Sequence, residues 1–176
     1  MTEQTRRLFF ALWPGEVERA ALDQAGRTLT GKRVRRVPAD NLHLTLAFAG
    51  SVNAATQTCL EQCAGAIRVA PFDLRINHAG YFPRPRVLWI GPEDVPEGLW
   101  ELAGALRQGL LDCDLGPEAN AFQAHITVAR KYRQGAPEHC FEPFDWPVSD
   151  FRLVESVNTE NGVRYVPLRG WPLERE

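Results

Sequence analysis

The chain has 176 residues, a length that predicts one domain. Hydrophobic residues make up 44% of the chain and charged residues 24%, which is typical of a globular protein and excludes general disorder. The net charge of -2 does not by itself indicate nucleic-acid binding, and no apolar run approaches the length of a membrane span. The apolar run at residues 8–13 is too short for a signal peptide, so we expect a cytoplasmic protein that does not bind membranes.

Charge is unevenly distributed along the chain. Residues 1–90 contain 12 lysines and arginines against 7 acidic residues, whereas residues 91–176 contain 8 against 15. Arginine supplies 18 of the 20 basic side chains, and its guanidinium group pairs well with phosphate oxygens. A compositional bias of the genome explains the arginine total more simply. The basic cluster at residues 32–36 fits a solvated turn and a phosphate-binding segment equally well.

Apolar periodicity predicts strands that alternate with helices in the first half of the chain and mostly strands in the second. The predicted helices are residues 16–30, 54–69 and 96–111. The predicted strands are residues 7–13, 34–37, 41–48, 72–79, 87–90, 122–129, 151–158 and 163–168, with a loop at 131–147.

These elements predict an α+β fold with antiparallel sheets. The last two strands flank Asn161-Gly162, which is a strong hairpin signal. No linker or low-complexity segment divides the chain. We therefore expect residues 1–176 to form a single domain, which the motifs described below divide into two related lobes.

The four cysteines do not form a metal-binding pattern. Cys59 and Cys63 lie four residues apart in a predicted helix and would share a face, but no second close pair exists to complete four zinc ligands. Cys113 and Cys140 are isolated in the sequence. In a cytoplasmic chain the simplest interpretation of these cysteines is that they are buried free thiols.

Two copies of one short motif carry the chemistry. The segments beginning at His43 (His-Leu-Thr-Leu) and at His125 (His-Ile-Thr-Val) have the same pattern and lie 82 residues apart. Because side chains alternate along a strand, each histidine shares a face with the threonine two residues later, Thr45 or Thr127. A single such strand would be unremarkable, but two copies indicate paired lobes whose four polar groups meet in one cleft.

Such a site suits phosphodiester chemistry. Two imidazoles that titrate near neutral pH can act as a base and an acid on opposite sides of one phosphorus atom. Two threonine hydroxyls can donate hydrogen bonds to the two non-bridging oxygens. The sequence therefore predicts catalysis that requires neither a metal nor another cofactor.

The paired motifs resemble those of the two-histidine (2H) phosphoesterases, and their surroundings resemble the RNA 2',3'-cyclic phosphodiesterases, also called 2'-5' RNA ligase or LigT-like proteins. Two differences are mild: Ala49 stands where the family often has leucine, and Ala124 where it often has proline. The matching segments begin at Arg7 and extend in order to about residue 171: RLFFAL at 7–12, HLTLAFAG at 43–50, RVLWI at 86–90, FQAHITVAR at 122–130 and YVPL at 165–168.

The resemblance implies a bilobal fold in which two pseudo-symmetric lobes, each an antiparallel sheet with helices outside, flank a central cleft. It implies hydrolysis of an RNA 2',3'-cyclic phosphate to a 2'-phosphate, and the joining of a 5'-hydroxyl to that phosphate as a 2'-5' linkage. His43 would be the general acid and His125 the general base. Arg130 matches a family arginine near the phosphate and would bind the substrate. In a straight strand it would face away from His125, but it lies at the strand end, where a bulge or twist would turn it in.

Other residues and another class of function stay open. His78 and His139 match no second motif, and Phe48 and Trp89 are core residues or surfaces on which a base stacks. The alternative to an enzyme is a catalytically idle module that binds nucleotides or RNA. We expect the partners to be RNA or nucleotides with 2',3'-cyclic phosphate ends, and the protein to act as a monomer.

Overall fold

The computed structural model describes residues 2–175, which contain three α-helices and nine strands. The helices are α1 (Glu16–Thr30), α2 (Ala54–Gly65) and α3 (Glu97–Asp112). The strands are β1 (Arg6–Leu12), β2 (Leu44–Val52), β3 (Phe72–Ile76), β4 (His78–Phe82), β5 (Val87–Gly91), β6 (Ile126–Ala129), β7 (Phe144–Val148), β8 (Asp150–Thr159) and β9 (Gly162–Pro172). A short 3-10 turn covers Ala39–Asn41.

The strands form three antiparallel sheets, which confirms the predicted α+β class. The first sheet has the strand order β2-β1-β8-β9, and the second has the order β4-β5-β6. Strands β3 and β7 make a separate two-stranded sheet. The predicted hairpin around Asn161-Gly162 is confirmed, since β8 and β9 pair along their full length.

Local sequence explains how the helices begin. Asn53 caps α2, because its side-chain oxygen accepts a hydrogen bond from the backbone N–H of Thr56 at 2.9 Å. Proline precedes α3 at Pro96, where its missing N–H costs nothing. Helix α1 has two glutamates in its first turn and an arginine in its last, which complements the helix dipole.

The helices exchange partners between the two halves. Units β1–α1–β2 and β5–α3–β6 have the same order of elements. Helix α1 nevertheless packs against β6, where Gly26 lies beside Val128, and α3 packs against β2. One continuous set of buried apolar side chains therefore runs through both halves.

Both strands that follow the histidines contain a β-bulge at the same point. In β2, Leu46 is an extra residue between Thr45, paired with Ala11, and the next paired residue. In β6, Val128 is an extra residue between Thr127, paired with Trp89, and the next paired residue. A bulge reverses the alternation of side chains beyond it, so residues after each threonine change faces.

Several predicted boundaries were wrong. Residues 34–37 do not form a strand, and a single bridge joins Arg36 to Ala129. Residues 122–125 precede β6 rather than belonging to it, and α2 ends at Gly65. The segment 72–79 breaks at Asn77 into two strands that belong to different sheets.

The predicted loop at 131–147 contains part of a strand. Strand β7 runs through Pro147, the last residue of the predicted loop, and pairs with β3. Proline is tolerated there because a two-stranded sheet leaves each strand with an unpaired edge. The pairing partner lies about 70 residues away in the sequence, so local pattern gives no sign of it.

The prediction of free cysteines was wrong for one pair. Cys59 in α2 and Cys113 at the end of α3 form a disulfide, with Cα atoms 5.9 Å apart. Packing of α2 against α3 brings together two residues that are 54 positions apart, which no local spacing indicates. Cys63 and Cys140 are free thiols, of which Cys63 is partly buried and Cys140 is exposed.

Candidate active site

The four residues of the paired motifs line one pocket of about 230 Å³ between the two larger sheets. Both histidines lie one residue before a strand, at the point where the chain enters β2 and β6. Arg130 lines the same pocket, beside walls from the β4–β5 hairpin. The lining residues are His43, Thr45, Phe82, Pro85, Val87, His125, Thr127 and Arg130.

The backbone fixes both imidazoles in the same tautomer. The Nδ1–H of His43 donates to the carbonyl oxygen of Asn41 at 2.7 Å, and that of His125 donates to the carbonyl oxygen of Gln123 at 2.8 Å. A carbonyl can only accept, so Nδ1 carries the proton in each neutral ring. Each Nε2 is therefore unprotonated in the neutral ring and available in the pocket.

His43 is enclosed by aromatic side chains from the first sheet. The rings of Phe9 and Tyr165 lie 4.9 Å from the imidazole, and Trp13 stacks nearly parallel to it at 5.9 Å. The Thr45 hydroxyl donates to its Nε2 at 3.0 Å. Phe9 and Trp13 thus pack directly against the imidazole of His43.

Asn41 connects this enclosure to the β8–β9 hairpin. Besides the carbonyl that holds His43, its buried side chain donates to the carbonyl of Val163 at 2.9 Å and accepts from the N–H of Tyr165 at 3.2 Å. Sequence reasoning missed Asn41, because its partners lie more than 120 residues away.

His125 has a more open setting. Phe82 approaches the imidazole edge to face at 5.2 Å, and Trp89 lies 6.2 Å away. Trp89 is half-buried, stacks on Phe82 with ring centroids 5.4 Å apart and does not line the pocket. Phe48 is 39% exposed, but the guanidinium of Arg7 covers its ring at 4.7 Å.

Arg130 faces the pocket, contrary to the alternation of a straight strand. The bulge at Val128 inserts one residue between Thr127 and Ala129, so Arg130 returns to the face of Thr127. Strand alternation alone therefore gives the wrong face for Arg130, and the bulge at the strand end turns it into the pocket. The equivalent position after the first motif is Phe48, which contributes no charge.

Burial and charge shift the titration of both histidines. The pKa of His43 is lowered to about 4, chiefly by burial; the hydrogen bond to Asn41 opposes this shift, and the nearby charges of Arg130 and His125 add to it. Burial and then Arg130 lower the pKa of His125 below its usual 6.5. Both imidazoles are therefore neutral at pH 7 in the free protein.

The other histidines and the cysteines are separate from this pocket. His78 and His139 are exposed and do not line the pocket, and His78 packs beside Trp89 on β4, the edge strand of the second sheet. Within residues 2–175, the cluster of potential metal ligands is Cys59, Cys63 and Cys113, whose sulfurs lie within 4.8 Å of one another. Two of these sulfurs are joined as a disulfide, which leaves one thiol.

Two His-x-Thr strands that face one pocket, between antiparallel sheets with helices outside, are the arrangement of a two-histidine phosphoesterase. The family model of the 2'-5' RNA ligase superfamily matches residues 11–160. The chain therefore belongs to the 2'-5' RNA ligase superfamily.

Two proteins that this chain resembles over nearly its full length have the same name. The chain is 35% identical to the RNA 2',3'-cyclic phosphodiesterase of Escherichia coli, over 97% of this chain and 98% of that protein. It is 32% identical to the protein of the same name from Archaeoglobus fulgidus, over 93% and 98% of the two chains.

Solved structures have the same fold. The structure of E. coli LigT without ligand matches with a TM-score of 0.87 at 33% identity, over 99% of this chain and 100% of that one. A structure of E. coli LigT complexed with 3'-AMP matches with a TM-score of 0.84, over 97% and 99%. Among the described residues of this chain, no helix combines the length and apolar character needed to cross a membrane.

Proposed function

We propose that this protein is an RNA 2',3'-cyclic phosphodiesterase, which hydrolyses the cyclic phosphate at a 3' end to a 2'-phosphate. The observation that carries the proposal is the pair of imidazoles in one pocket, each held at Nδ1 by a backbone carbonyl, which leaves Nε2 as the atom that transfers protons. The names of the similar proteins and the family membership support the same activity.

In the proposed reaction His125 is the general base. Its Nε2 takes a proton from water, and the oxygen attacks phosphorus in line with the bond to O3'. As the P–O3' bond breaks, the Nε2–H of His43 gives its proton to O3'. The products are a 3'-hydroxyl and a 2'-phosphate, and one proton passes from His125 back to His43 through solvent before the next turnover.

The acid role requires His43 to gain a proton in spite of its low pKa. A phosphodiester carries a negative charge beside the ring, and this charge favours the imidazolium and opposes the effect of Arg130. We therefore expect His43 to take up a proton from solvent when the substrate binds, so that the acid is charged in the complex.

The remaining polar groups act on the phosphate itself. Thr45 and Thr127 each donate a hydrogen bond to one non-bridging oxygen, and Arg130 neutralises the charge that develops there. The Thr45 hydroxyl now bonded to His43 is released for this role once Nε2 is protonated. Acid, base and charge stabilisation are all supplied by side chains, so this mechanism calls for no cofactor.

The same geometry allows ligation. A 5'-hydroxyl that takes the place of water would attack the same phosphorus and displace O3', which leaves a 2'-5' linkage. This reaction, a cytoplasmic location and a monomeric state form part of the proposal.

An idle binding module is the second candidate, and turnover separates the two. Purified protein is incubated with 2',3'-cyclic AMP, with and without EDTA, and products are identified by phosphorus NMR. We expect 2'-AMP in both samples. Activity that vanishes with EDTA and returns with Zn²⁺ or Mn²⁺ would contradict the two-histidine mechanism, and binding without turnover would favour the idle module. A pure 3'-phosphate product would reverse the assignment of the two histidines.

A further inference from the structure

Two grooves leave the catalytic pocket in different directions, and they differ in charge. The first, which we call the basic groove, has a volume of about 760 Å³ and lies between the segment after α1 and the end of the β8–β9 hairpin. The second, which we call the mixed groove, has a volume of about 730 Å³ and lies between the β4–β5 turn and the segment after α3.

The basic groove is built for a polyanion. Its cationic side chains are Arg7, Arg35, Arg36, Arg130 and Lys131, and no carboxylate is among its described lining residues. None of these five takes part in an ion pair within residues 2–175. The opposite wall offers neutral hydrogen-bonding groups from the hairpin, including Ser156, Asn158 and Asn161.

The mixed groove has no such excess of charge. Arg107 forms an ion pair with Glu118 at 3.1 Å, which leaves Arg84 as its cation without an ion-pair partner among the described residues. Much of its lining is apolar, with Phe82 and Phe122 on its walls. A chain of phosphates would find little to pair with here.

The grooves meet the pocket at different catalytic groups. The basic groove opens beside His43, Thr127 and Arg130, whereas the mixed groove opens beside His125 and Thr45. The acid of the proposed reaction thus faces one groove and the base faces the other.

We infer that the RNA strand that ends in the cyclic phosphate lies in the basic groove, with its 5' portion leading away from the pocket past Arg35 and Arg36. The inference rests on the proposed function and extends it to the polynucleotide. In-line displacement puts O3' on the side of His43, and O3' belongs to the terminal ribose. The ribose and the nucleotides before it must therefore leave on that side, where the unpaired cations are.

The mixed groove is then the route by which the nucleophile enters the pocket. Water reaches His125 from this side during hydrolysis, and the 5'-hydroxyl end of a second strand enters there during ligation. The preferred substrate is thus a single-stranded oligoribonucleotide, because phosphates beyond the terminal nucleotide gain contacts that a cyclic mononucleotide lacks.

The test compares two charge-matched double variants on two substrates. Arg35→Gln/Arg36→Gln removes two cations that line the groove, and Lys32→Gln/Arg33→Gln removes two from the same segment that do not. For an eight-nucleotide RNA ending in a 2',3'-cyclic phosphate, we expect the first variant to lower kcat/KM about tenfold. The salt dependence of log(kcat/KM) should also become shallower by about 1.4.

Hydrolysis of 2',3'-cyclic AMP should stay within about twofold in both variants, which also demonstrates correct folding. The control variant should stay within about twofold on the RNA as well. Equal losses on RNA and cyclic AMP in the first variant, or equal losses on RNA in the two variants, would overturn the inference. So would a loss in Arg84→Gln, in the mixed groove, as large as that in the first variant.

Asn158 allows a test in both directions, because it is exposed on the opposite wall of the basic groove. Asn158→Lys should raise kcat/KM for the RNA and Asn158→Asp should lower it, each by about threefold, with no change for cyclic AMP. A misfolded protein cannot give the gain, and an unchanged rate in both variants would contradict the inference.

The inference and the proposed function fail in different ways. If the protein hydrolyses neither cyclic AMP nor the RNA with a 2',3'-cyclic phosphate end, the proposed function fails. The groove is then tested by fluorescence anisotropy with a labelled RNA that ends in a 2'-phosphate. Weaker binding by Arg35→Gln/Arg36→Gln than by Lys32→Gln/Arg33→Gln would support the basic groove, and equal binding would reject it.

Discussion

The two histidine motifs share a backbone design but differ in their surroundings. Each ring donates Nδ1–H to the carbonyl two residues earlier, and each strand bulges directly after the threonine. Yet His43 sits among three aromatic rings with Thr45 on its Nε2, whereas His125 lies in a more open setting beside Arg130. The repeated framework supplies two equivalent proton carriers, and the unequal surroundings separate acid from base.

Removing either imidazole should have the largest effect. We expect His43→Ala and His125→Ala each to lower kcat for cyclic AMP by about 10²–10⁴. A substrate with sulfur at the 3' position separates the roles, because a thiolate leaves without a proton. Steady-state rates on this analogue should recover in His43→Ala and stay low in His125→Ala. Recovery in the other variant would exchange the acid and the base.

The threonines test whether the two motifs hold the phosphate equally. Valine keeps the shape and β-branching of threonine and deletes only the hydroxyl. We expect Thr45→Val and Thr127→Val each to lower kcat by about 10–10³, since each loses one donor to the phosphate. Activity near that of the parent in the double variant would remove both hydroxyls from the mechanism.

The pH dependence of kcat/KM should reveal the low pKa values of the two histidines in the free protein. Productive binding needs His43 protonated and His125 neutral, and both pKa values lie below 6.5 in the free protein. The profile of kcat/KM should therefore be a bell with its maximum between pH 4 and 6.5, falling about tenfold per pH unit above the higher pKa. The alkaline limb of kcat should lie at higher pH, because bound phosphate raises both pKa values. A flat profile from about pH 5 to 9 is inconsistent with acid–base catalysis by these rings.

Arg130 is the charged group that the first motif lacks. Arg130→Gln should raise KM about tenfold through the lost phosphate contact. Since the charge of Arg130 lowers both histidine pKa values, the kcat/KM maximum should also move to higher pH. Phe48→Leu, at the equivalent position of the first motif, is the matched control and should move neither quantity. A lowered rate in Arg130→Gln with an unmoved maximum would give Arg130 a purely structural role.

The smallest effect on kcat should come from loosening the aromatic rings around His43. Asn41→Ala keeps the carbonyl that holds His43 but removes the two side-chain bonds to β9. We expect a loss of about 1–3 kcal/mol in the free energy of unfolding, measured by urea denaturation, because two hydrogen bonds between the buried Asn41 side chain and the backbone of β9 are lost. The kcat should fall only about threefold, as Tyr165 moves away from the imidazole. Asn77→Ala, at a side chain that bonds one backbone N–H and does not line the pocket, controls for general destabilisation.

Alternation and repetition were enough to predict the histidine–threonine pairs from the sequence. A face shared by residues two apart depends only on a strand conformation, and both motifs retain it. The bulge that turns Arg130 inward could be named from the sequence only as one alternative at the strand end, because a bulge depends on the pairing strand as well as on the bulged one. The same holds for Asn41, for strand β7 and for the Cys59–Cys113 disulfide, whose partners are set by tertiary packing.

The exchange of helices between the halves has a consequence for cooperativity. Helix α1 covers β6 and α3 covers β2, so neither half can bury its apolar surface when the other is unfolded. Amide hydrogens of β2 and β6 should then exchange through one global opening, with the same free energy and the same denaturant dependence. His43 and His125, which lie at the starts of these two strands, therefore belong to one cooperative unfolding unit. The spacing of the two imidazoles is kept for as long as the whole protein stays folded.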